Sequence, residues 1–148
     1  MTLYFLDVNV WLALTDSAHS HSADAWNWLS GLPSDSSLIF SRFTQMGLLR
    51  LLTNVAVMGS DVHTLRKAWH AYDRLSEDAL VEFYPEPRNA DALFRQATEP
   101  LAEQYAPKAV GNCWILAFAK SIDATIVTFD RGLIDMARKH SYSALIPA

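Results

Sequence analysis

Two aspartates follow short apolar runs of the chain and are the first candidates for chemistry. Asp7 comes directly after the apolar run 3–6, and Asp130 comes two residues after the run 126–128. Carboxylates that converge in a cleft repel one another unless a cation lies between them, and their oxygens suit Mg²⁺ or Mn²⁺. Such a cation polarises a phosphoryl oxygen and lowers the pKa of an attacking water. The two acids together therefore predict a metal site that works on phosphates.

Each aspartate also has a plainer interpretation, in which its carboxylate only caps the helix or turn that follows it. For either residue taken singly, capping explains the position as well as metal binding does. Two acids at matching positions of one sheet favour the metal site.

Short apolar strands alternate with helical patterns along the chain. Strands are predicted at 3–6, 38–40, 79–84, 124–128 and 144–146. Helices are predicted at 10–14, 23–30, 43–54, 62–72, 90–104 with a break near Pro100, 114–120 and 133–139. This alternation predicts an α/β domain with a mainly parallel sheet. In such sheets the site lies outside the carboxyl ends of the strands, and that rule selects the two aspartates.

Local patterns predict how individual helices begin and end. Asn9 and Ser22 are expected to cap the first two helices, and Asn54 is expected to close the third. Periodicity places Trp69 and Trp114 in the core, and Ala25, Trp26 and Leu29 on the inner face of the second helix. Trp26 and Trp28 cannot both point inward, so one of the pair is expected to face a partner or to remain partly exposed.

Composition excludes several classes of protein. The 148 residues are 51% apolar and 19% charged, with a net charge of −4, which predicts one folded domain over residues 1–148. Apolar stretches are interrupted too soon to span a bilayer, and the N-terminus lacks the features of a secretion signal. A single cysteine, Cys113, excludes an intramolecular disulfide or a cysteine zinc cluster and suits the reducing cytoplasm. The acidic balance argues against phosphate binding through net charge alone.

Three segments of the chain stand out together: Leu-Asp-Val-Asn-Val at 6–10, Thr-Gln-Met-Gly-Leu-Leu-Arg-Leu-Leu-Thr at 44–53 and Thr-Phe-Asp-Arg-Gly at 128–132. In this order they resemble the PIN-domain ribonucleases, and most of all the VapC-type toxins of bacterial toxin–antitoxin pairs. The resemblance implies a three-layer α/β/α sandwich with a mainly parallel sheet of four or five strands. It also implies a Mg²⁺- or Mn²⁺-dependent endoribonuclease that cuts RNA, forms a homodimer and is held inactive by a cognate antitoxin.

The resemblance assigns four acidic positions, of which this chain keeps two. Asp7 and Asp130 fill the first and last, with Asn9 and Thr128 as polar neighbours that orient a ligand or a water. On the third helix the matching residue is Gln45 or, in a shifted alignment, Gly47.

Asn112 stands at the start of the late helix, where the family has an aspartate. An amide offers a carbonyl oxygen to a cation but no charge, and a lost charge removes about 1–4 kcal/mol of attraction. The substitution is consistent with natural loss in a decaying toxin or with a deliberate Asp→Asn change, and the intact surrounding motifs favour the second. Catalysis is expected to be weakened while the site keeps its shape.

Four basic residues are candidates for contact with substrate or antitoxin around this cleft. Arg131 and Lys108 are expected to face a phosphate, or for Arg131 an antitoxin carboxylate, and Arg42 belongs to the same set. For Arg50 an ion pair within the domain is an equally good interpretation.

Other candidate residues have plainer interpretations. His19 and His21 lie two apart with no third ligand nearby, so a polar turn is favoured over a metal site. Cys113 has no partner histidine and is interpreted as a small buried apolar residue.

Three functions compete at this point. The first is the ribonuclease, and the second is a catalytically inactive PIN-fold protein that binds RNA or antitoxin, which Asn112 and Gln45 favour. The third is a phosphotransferase of the haloacid-dehalogenase type, which is disfavoured because Asn9 stands where that class needs a second aspartate.

Overall fold

A computed structural model describes the whole chain, residues 1–148. The strands are β1 (Leu3–Leu6), β2 (Ser37–Phe40), β3 (Val81–Phe83), β4 (Thr125–Val127) and β5 (Ala144–Leu145). The helices are α1 (Val8–Thr15), α2 (Ser22–Ser30), α3 (Arg42–Leu52), α4 (Val55–Met58), α5 (Leu65–Ser76), α6 (Ala90–Thr98), α7 (Ala109–Ile122) and α8 (Arg131–Lys139). A 3₁₀ turn at Glu99–Leu101 follows α6, so the predicted break near Pro100 is confirmed.

The five strands form one parallel sheet in the order β3-β2-β1-β4-β5. The central strand β1 pairs with β2 on one side and with β4 on the other, and Leu6 lies opposite Val127 in the β1–β4 pair. This sheet confirms the predicted α/β class with a mainly parallel sheet of four or five strands. The switch of direction beside β1 is where ligands bind in sheets of this type.

Successive residues of the central strands face opposite layers of helices. Leu6, Phe40 and Val127 pack with α1, α2, α3 and α5 in one core. Phe5 and Ile126 pack with α6, α7 and α8 in a second core on the other face. Because both faces are covered, the central strand β1 carries no charged residue and Leu38–Phe40 of β2 is apolar, as a buried parallel sheet requires. The result is the three-layer α/β/α sandwich that the resemblance implied.

The helix predicted at 62–72 runs from Leu65 to Ser76, and the one predicted at 114–120 runs from Ala109 to Ile122. Three predicted capping or closing residues are also wrong. Helix α1 begins at Val8 and is capped by Asp7, not by Asn9. Ser22 is the first residue of α2 rather than its cap, and His21 occupies the cap position without a side-chain hydrogen bond. Helix α3 ends at Leu52, and Asn54 instead accepts a hydrogen bond from the backbone of Ala56 and caps α4.

Two tryptophans that the helical periodicity predicts to be buried are exposed. Trp69 is 43% exposed because α5 buries Ala68 and Tyr72 instead, and Tyr72 packs edge-on against Phe40. Trp26 is 48% exposed, whereas Trp28 packs edge-on against Tyr4 of β1. Trp26 is therefore the outward-facing member of its pair.

The start of α3 is fixed by a capping box between Ser41 and Thr44, whose side chains and backbone amides bond reciprocally. This box turns Thr44 and Gln45 inward, and it leaves Phe43 and Met46 about two-fifths exposed. The apolar spacing that predicted the helix is therefore not its buried face. None of the helices combines the length and apolar character that a membrane crossing needs.

Candidate active site

The site is built where β1 and β4 end side by side. Asp7 follows β1 directly, and its backbone N–H donates to the carbonyl of Val127 at 2.9 Å, which extends the pairing by one residue. Thr128 follows β4 directly and is fully buried, while Asp7 is 8% exposed. The parallel register therefore brings two polar residues together at the carboxyl edge of the sheet.

The hydroxyl of Thr128 connects the two aspartates. It donates to Oδ2 of Asp7 at 2.7 Å and accepts the backbone N–H of Asp130 at 2.9 Å. Burial raises the pKa of Asp7 above its ordinary 3.8, and the negative charge of Asp130 raises it further. Hydrogen bonds from Thr128 and from the backbone of Val8 act in the opposite direction. The largest of these effects is burial, and the charge of Asp130 is the smallest.

Both aspartates also cap helices. Oδ1 of Asp7 accepts the backbone N–H of Val8 at 2.8 Å at the start of α1. Oδ1 of Asp130 accepts from Gly132 at 2.8 Å and from Leu133 at 3.4 Å at the start of α8. Both caps that the plainer interpretation predicted are present, and a capping carboxylate keeps a second oxygen for another partner. The partial positive charge of two helix N-termini offsets part of the repulsion between the acids.

Asn112 lies in the first turn of α7 and faces Asp130. Its amide nitrogen donates to Oδ2 of Asp130 at 3.4 Å. An aspartate in this position would meet the same carboxylate as a like charge, which a cation between them would relieve. The structure thus connects three of the sequence-predicted residues through pairwise contacts: Asn112 contacts the carboxylate of Asp130, and Thr128 links the backbone of Asp130 to the carboxylate of Asp7.

Asn9 supports the same loop from α1. Its Oδ1 accepts the backbone N–H of Phe129 at 3.4 Å. Together with Thr128 it holds the backbone that carries Asp130.

The two candidates on α3 are placed differently. Gln45 is 6% exposed, and its Oε1 accepts a hydrogen bond from the guanidinium of Arg42. Gly47 packs against Val8, and a Cβ at position 47 would lie 2.7 Å from a Val8 methyl. There is no room for an acid at position 47, which leaves Gln45 as the candidate of the two.

Of the four basic residues, Arg42 is bound by neighbouring side chains, and the other three form no ion pair. Arg42 binds Gln45 and lies over the ring of Phe83 at 4.9 Å. Lys108, Arg131 and Arg50 are exposed, and neither of the chain's two ion pairs includes them. The predicted alternative of a structural ion pair for Arg50 is therefore wrong. Lys108 directly precedes α7, and Arg131 begins α8 beside Asp130.

The structure adds one contact that sequence reasoning missed. The ring of His21 stacks on the ring of Phe129, with centroids 4.2 Å apart and planes 10° apart. Phe129 lies between Thr128 and Asp130, so His21 belongs to the surroundings of the site. The polar turn predicted around His19 and His21 is present, but nothing in the sequence connected it to residue 129.

Cys113 is not part of the chemistry of this site. It is fully buried, and its thiol lies 3.5 Å from the carbonyl of Ala97. Burial raises the pKa of the Cys113 thiol, which keeps it protonated and inert. The prediction that Cys113 is a small buried apolar residue is confirmed.

Residues 4–139 match the PIN domain family, and the chain belongs to that family. Within it, the chain is similar to Ribonuclease VapC41 from Mycobacterium tuberculosis (strain ATCC 25618 / H37Rv), with 37% identity over 128 residues, which cover 84% of this chain and 86% of the relative. The resemblance drawn from the three sequence segments is confirmed.

Solved structures with the same fold have little sequence identity to this chain. VapBC-1 from nontypeable Haemophilus influenzae aligns with a TM-score of 0.72 at 19% identity, covering 98% of both chains. VapBC2 from Rickettsia felis, bound to a DNA fragment from its promoter, aligns with a TM-score of 0.74 at 14% identity, covering 99% of this chain and 100% of that one. At such identities these likenesses establish the fold.

Proposed function

We propose that this chain is the toxin component of a type II toxin–antitoxin pair, a metal-dependent endoribonuclease that cleaves RNA phosphodiester bonds with weakened activity. The observation that carries the proposal is a chain of contacts at the carboxyl edge of the sheet: Asn112 contacts the carboxylate of Asp130, and Thr128 bonds to the backbone N–H of Asp130 and to the carboxylate of Asp7. The 37% identity to Ribonuclease VapC41 supports the reaction class.

The side chains fit a small divalent cation. Asp7 and Asp130 supply carboxylate oxygens, and Asn112 supplies an amide oxygen once its side chain turns that atom toward the ion, which is a donor set suited to Mg²⁺ or Mn²⁺. Burial and the charge of Asp130 both raise the pKa of Asp7, and a bound cation would stabilise the two carboxylates. When bound, the metal stabilises charge on the phosphate and lowers the pKa of an attacking water.

The chain's own residues prepare this chemistry. Thr128 fixes the orientation of Asp7 and lowers the pKa of its carboxyl against the effect of burial. Asn9 and the N-terminus of α8 hold the segment of Asp130. Arg131 and Lys108 are exposed and form no ion pair, so both are available to bind RNA phosphates.

Two residues weaken the site. Asn112 brings no negative charge to the metal and cannot accept a proton from water. On α3 we assign the acidic position of the family to Gln45, whose oxygen is already engaged by Arg42. A site with two charges in place of four binds its cation less tightly, while its geometry is retained.

Restoring the acid tests the proposal. Asn112→Asp is expected to give RNA cleavage that depends on Mg²⁺ or Mn²⁺ and that adding Asp7→Ala abolishes. Asn89→Asp, which adds the same charge at the exposed start of α6, is the control and should give no gain. If Asn112→Asp stays as inactive as the present sequence across a broad panel of RNAs, the ribonuclease proposal is wrong.

The alternative is a PIN-fold protein that binds RNA or an antitoxin without cleaving. It is favoured by the present Asn112 and Gln45, which leave two acids where the family has four. An Asn112→Asp variant that binds RNA and Mn²⁺ yet leaves the RNA intact would establish this alternative.

A cognate antitoxin is the protein partner that we infer. Trp26 projects into a groove of about 310 Å³ between α1, α2 and α5, which is largely apolar and also lined by Trp11. The indole N–H of Trp11 is buried there without an acceptor, and such groups usually find one. A homodimer, a single domain over residues 1–148 and a cytoplasmic location complete the proposal.

A further inference from the structure

His21 and Phe129 form a two-ring stack on the surface beside the acids. The rings are nearly parallel, at 10°, with centroids 4.2 Å apart. Phe129 is partly buried and packs against the core that contains α1 and α2, whereas His21 is exposed. Phe129 therefore covers one face of the imidazole, and the ring as a whole remains open to solvent.

Each residue of the stack is held by a hydrogen bond from its backbone N–H. His19 accepts the backbone N–H of His21 through Nδ1 at 3.0 Å. The His19 ring lies 5.8 Å from the His21 ring at a tilt of 40°, so it flanks that ring without stacking on it. On the other side, Asn9 accepts the backbone N–H of Phe129 at 3.4 Å. Both rings are thus positioned by hydrogen bonds to their own backbones.

The imidazole of His21 has no structural role that explains why it is held on Phe129. His21 occupies the cap position of α2, yet its side chain makes no capping hydrogen bond. Phe129 is joined directly to Thr128 and Asp130, so the stack is rigidly connected to the residues that surround the proposed metal position. Arg131 follows on the same segment and is free to bind a phosphate.

We propose that the exposed ring of His21, supported by Phe129, is a stacking platform for one unpaired nucleobase of the RNA, next to the phosphate that lies at the acids. This inference rests on the proposed ribonuclease function and adds a substrate contact to it. Proteins that bind single-stranded RNA stack its bases on histidine and aromatic rings. Stacking needs only the face of a base, so the platform fixes where the strand lies while accepting different bases.

Binding of a single-stranded RNA tests the platform. The probe is a fluorescein-labelled twelve-nucleotide RNA without self-pairing, titrated with the purified chain and followed by anisotropy. His21→Ala is expected to weaken binding by about 5- to 140-fold, the usual loss for one stacked base. His21→Phe keeps a ring and is expected to stay within about threefold of the wild type. His70→Ala, at an exposed histidine of α5, is the matched control and should bind like the wild type.

A second probe changes the RNA instead of the protein and compares the wild type with His21→Ala. In it, one base at a time is removed from the same RNA to leave an abasic nucleotide. One position is expected to weaken binding to the wild type and to have no effect on binding to His21→Ala. A loss that is the same for both proteins at every position would overturn the platform, as would a His21→Phe variant as weak as His21→Ala.

The outcomes separate this inference from the function on which it rests. If Asn112→Asp cleaves RNA while His21→Ala alters neither binding nor cleavage, the platform is wrong and the ribonuclease proposal stands. If the chain binds no RNA and Asn112→Asp cleaves none, both are wrong.

Discussion

The hydroxyl of Thr128 donates a hydrogen bond to the carboxylate of Asp7 at 2.7 Å, across 121 residues of the chain. Both atoms are shielded from solvent, since Thr128 is fully buried and Asp7 is 8% exposed. A hydrogen bond to a charged group in such surroundings is stronger than one between neutral groups. This contact joins the ends of β1 and β4 and lowers the pKa of a buried acid against the larger effect of burial.

Replacing Thr128 by valine keeps the shape of the side chain and removes this donor. We expect Thr128→Val to lower the free energy of unfolding by about 1.5–3 kcal/mol and to raise the pKa of Asp7 further, because burial then acts with one fewer opposing hydrogen bond. Urea unfolding and carboxyl NMR titration measure the two effects. Thr128→Ser keeps the hydroxyl and should retain the pKa of Asp7. A valine variant with an unchanged Asp7 pKa would contradict this account of the site.

Asn112→Asp should also change the metal response of the folded chain. It replaces the hydrogen bond to Asp130 by a like charge, so we expect the metal-free variant to melt at a lower temperature than the parent. Mg²⁺ or Mn²⁺ should then raise the melting temperature of the variant more than that of the parent, since a ligand that binds only the folded state stabilises it. Thermal melts with and without each cation test this, with Asn89→Asp as control. Equal shifts in all three proteins would count against a metal at Asp130.

Much of the site could be predicted because it depends on short-range patterns. An apolar run that ends in an acid gives both a buried parallel strand and a carboxylate at its carboxyl end, and this holds for Asp7 and Asp130 alike. The sequence does not specify that β1 pairs with β4, and this observed pairing is what places Asp7 beside Thr128. The capping role of each acid was also predicted, although as an alternative to convergence rather than as part of it.

What sequence reasoning missed depends on how elements are rotated and where loops run. The inward turn of Gln45 follows from the capping box at Ser41 and Thr44, which outweighs the apolar spacing of Phe43 and Met46. The stack of His21 on Phe129 requires the path of the loop before α2, which no local pattern specifies. Trp69 was misplaced because a large apolar side chain at helical spacing was assumed to face inward, whereas α5 packs through Ala68.

The buried charge of Asp7 predicts a pH dependence of stability in the metal-free chain. Its pKa is raised in the folded state, so the folded chain binds this proton more tightly than the unfolded chain does. The free energy of unfolding therefore contains a contribution that falls as pH rises from the ordinary 3.8 of an aspartate through the raised pKa.

Other carboxylates titrate in the same range, so the contribution of Asp7 is measured as a difference. We expect Asp7→Asn, which removes the titration, to gain stability relative to the wild type as pH rises across that window. Urea unfolding at several values from about pH 4 to about pH 7 tests this. A stability difference that is independent of pH, or that changes in the opposite direction, would show that the pKa of Asp7 is not raised.

Gly47 allows α3 to approach α1 directly behind the first acid. A Cβ at position 47 would lie 2.7 Å from a methyl of Val8, the residue that follows Asp7. Gly47→Ala must therefore displace Val8, and we expect a loss of about 1–3 kcal/mol in the free energy of unfolding. The displacement should also move Asp7, so an Asn112→Asp background should lose cleavage activity as well. Gly31→Ala is the matched control, because its nearest contact is at 3.7 Å and its backbone is already right-handed.

Removing the obstructing side chain should reverse the effect. We expect Val8→Ala combined with Gly47→Ala to be less destabilised than the sum of the two single variants, since the new methyl then occupies space that the valine has vacated. A double-mutant cycle from urea unfolding measures this coupling. Strict additivity would mean that Gly47 matters for a reason other than its contact with Val8, and the close approach of α3 to the segment of Asp7 would then not be what requires a glycine at this position.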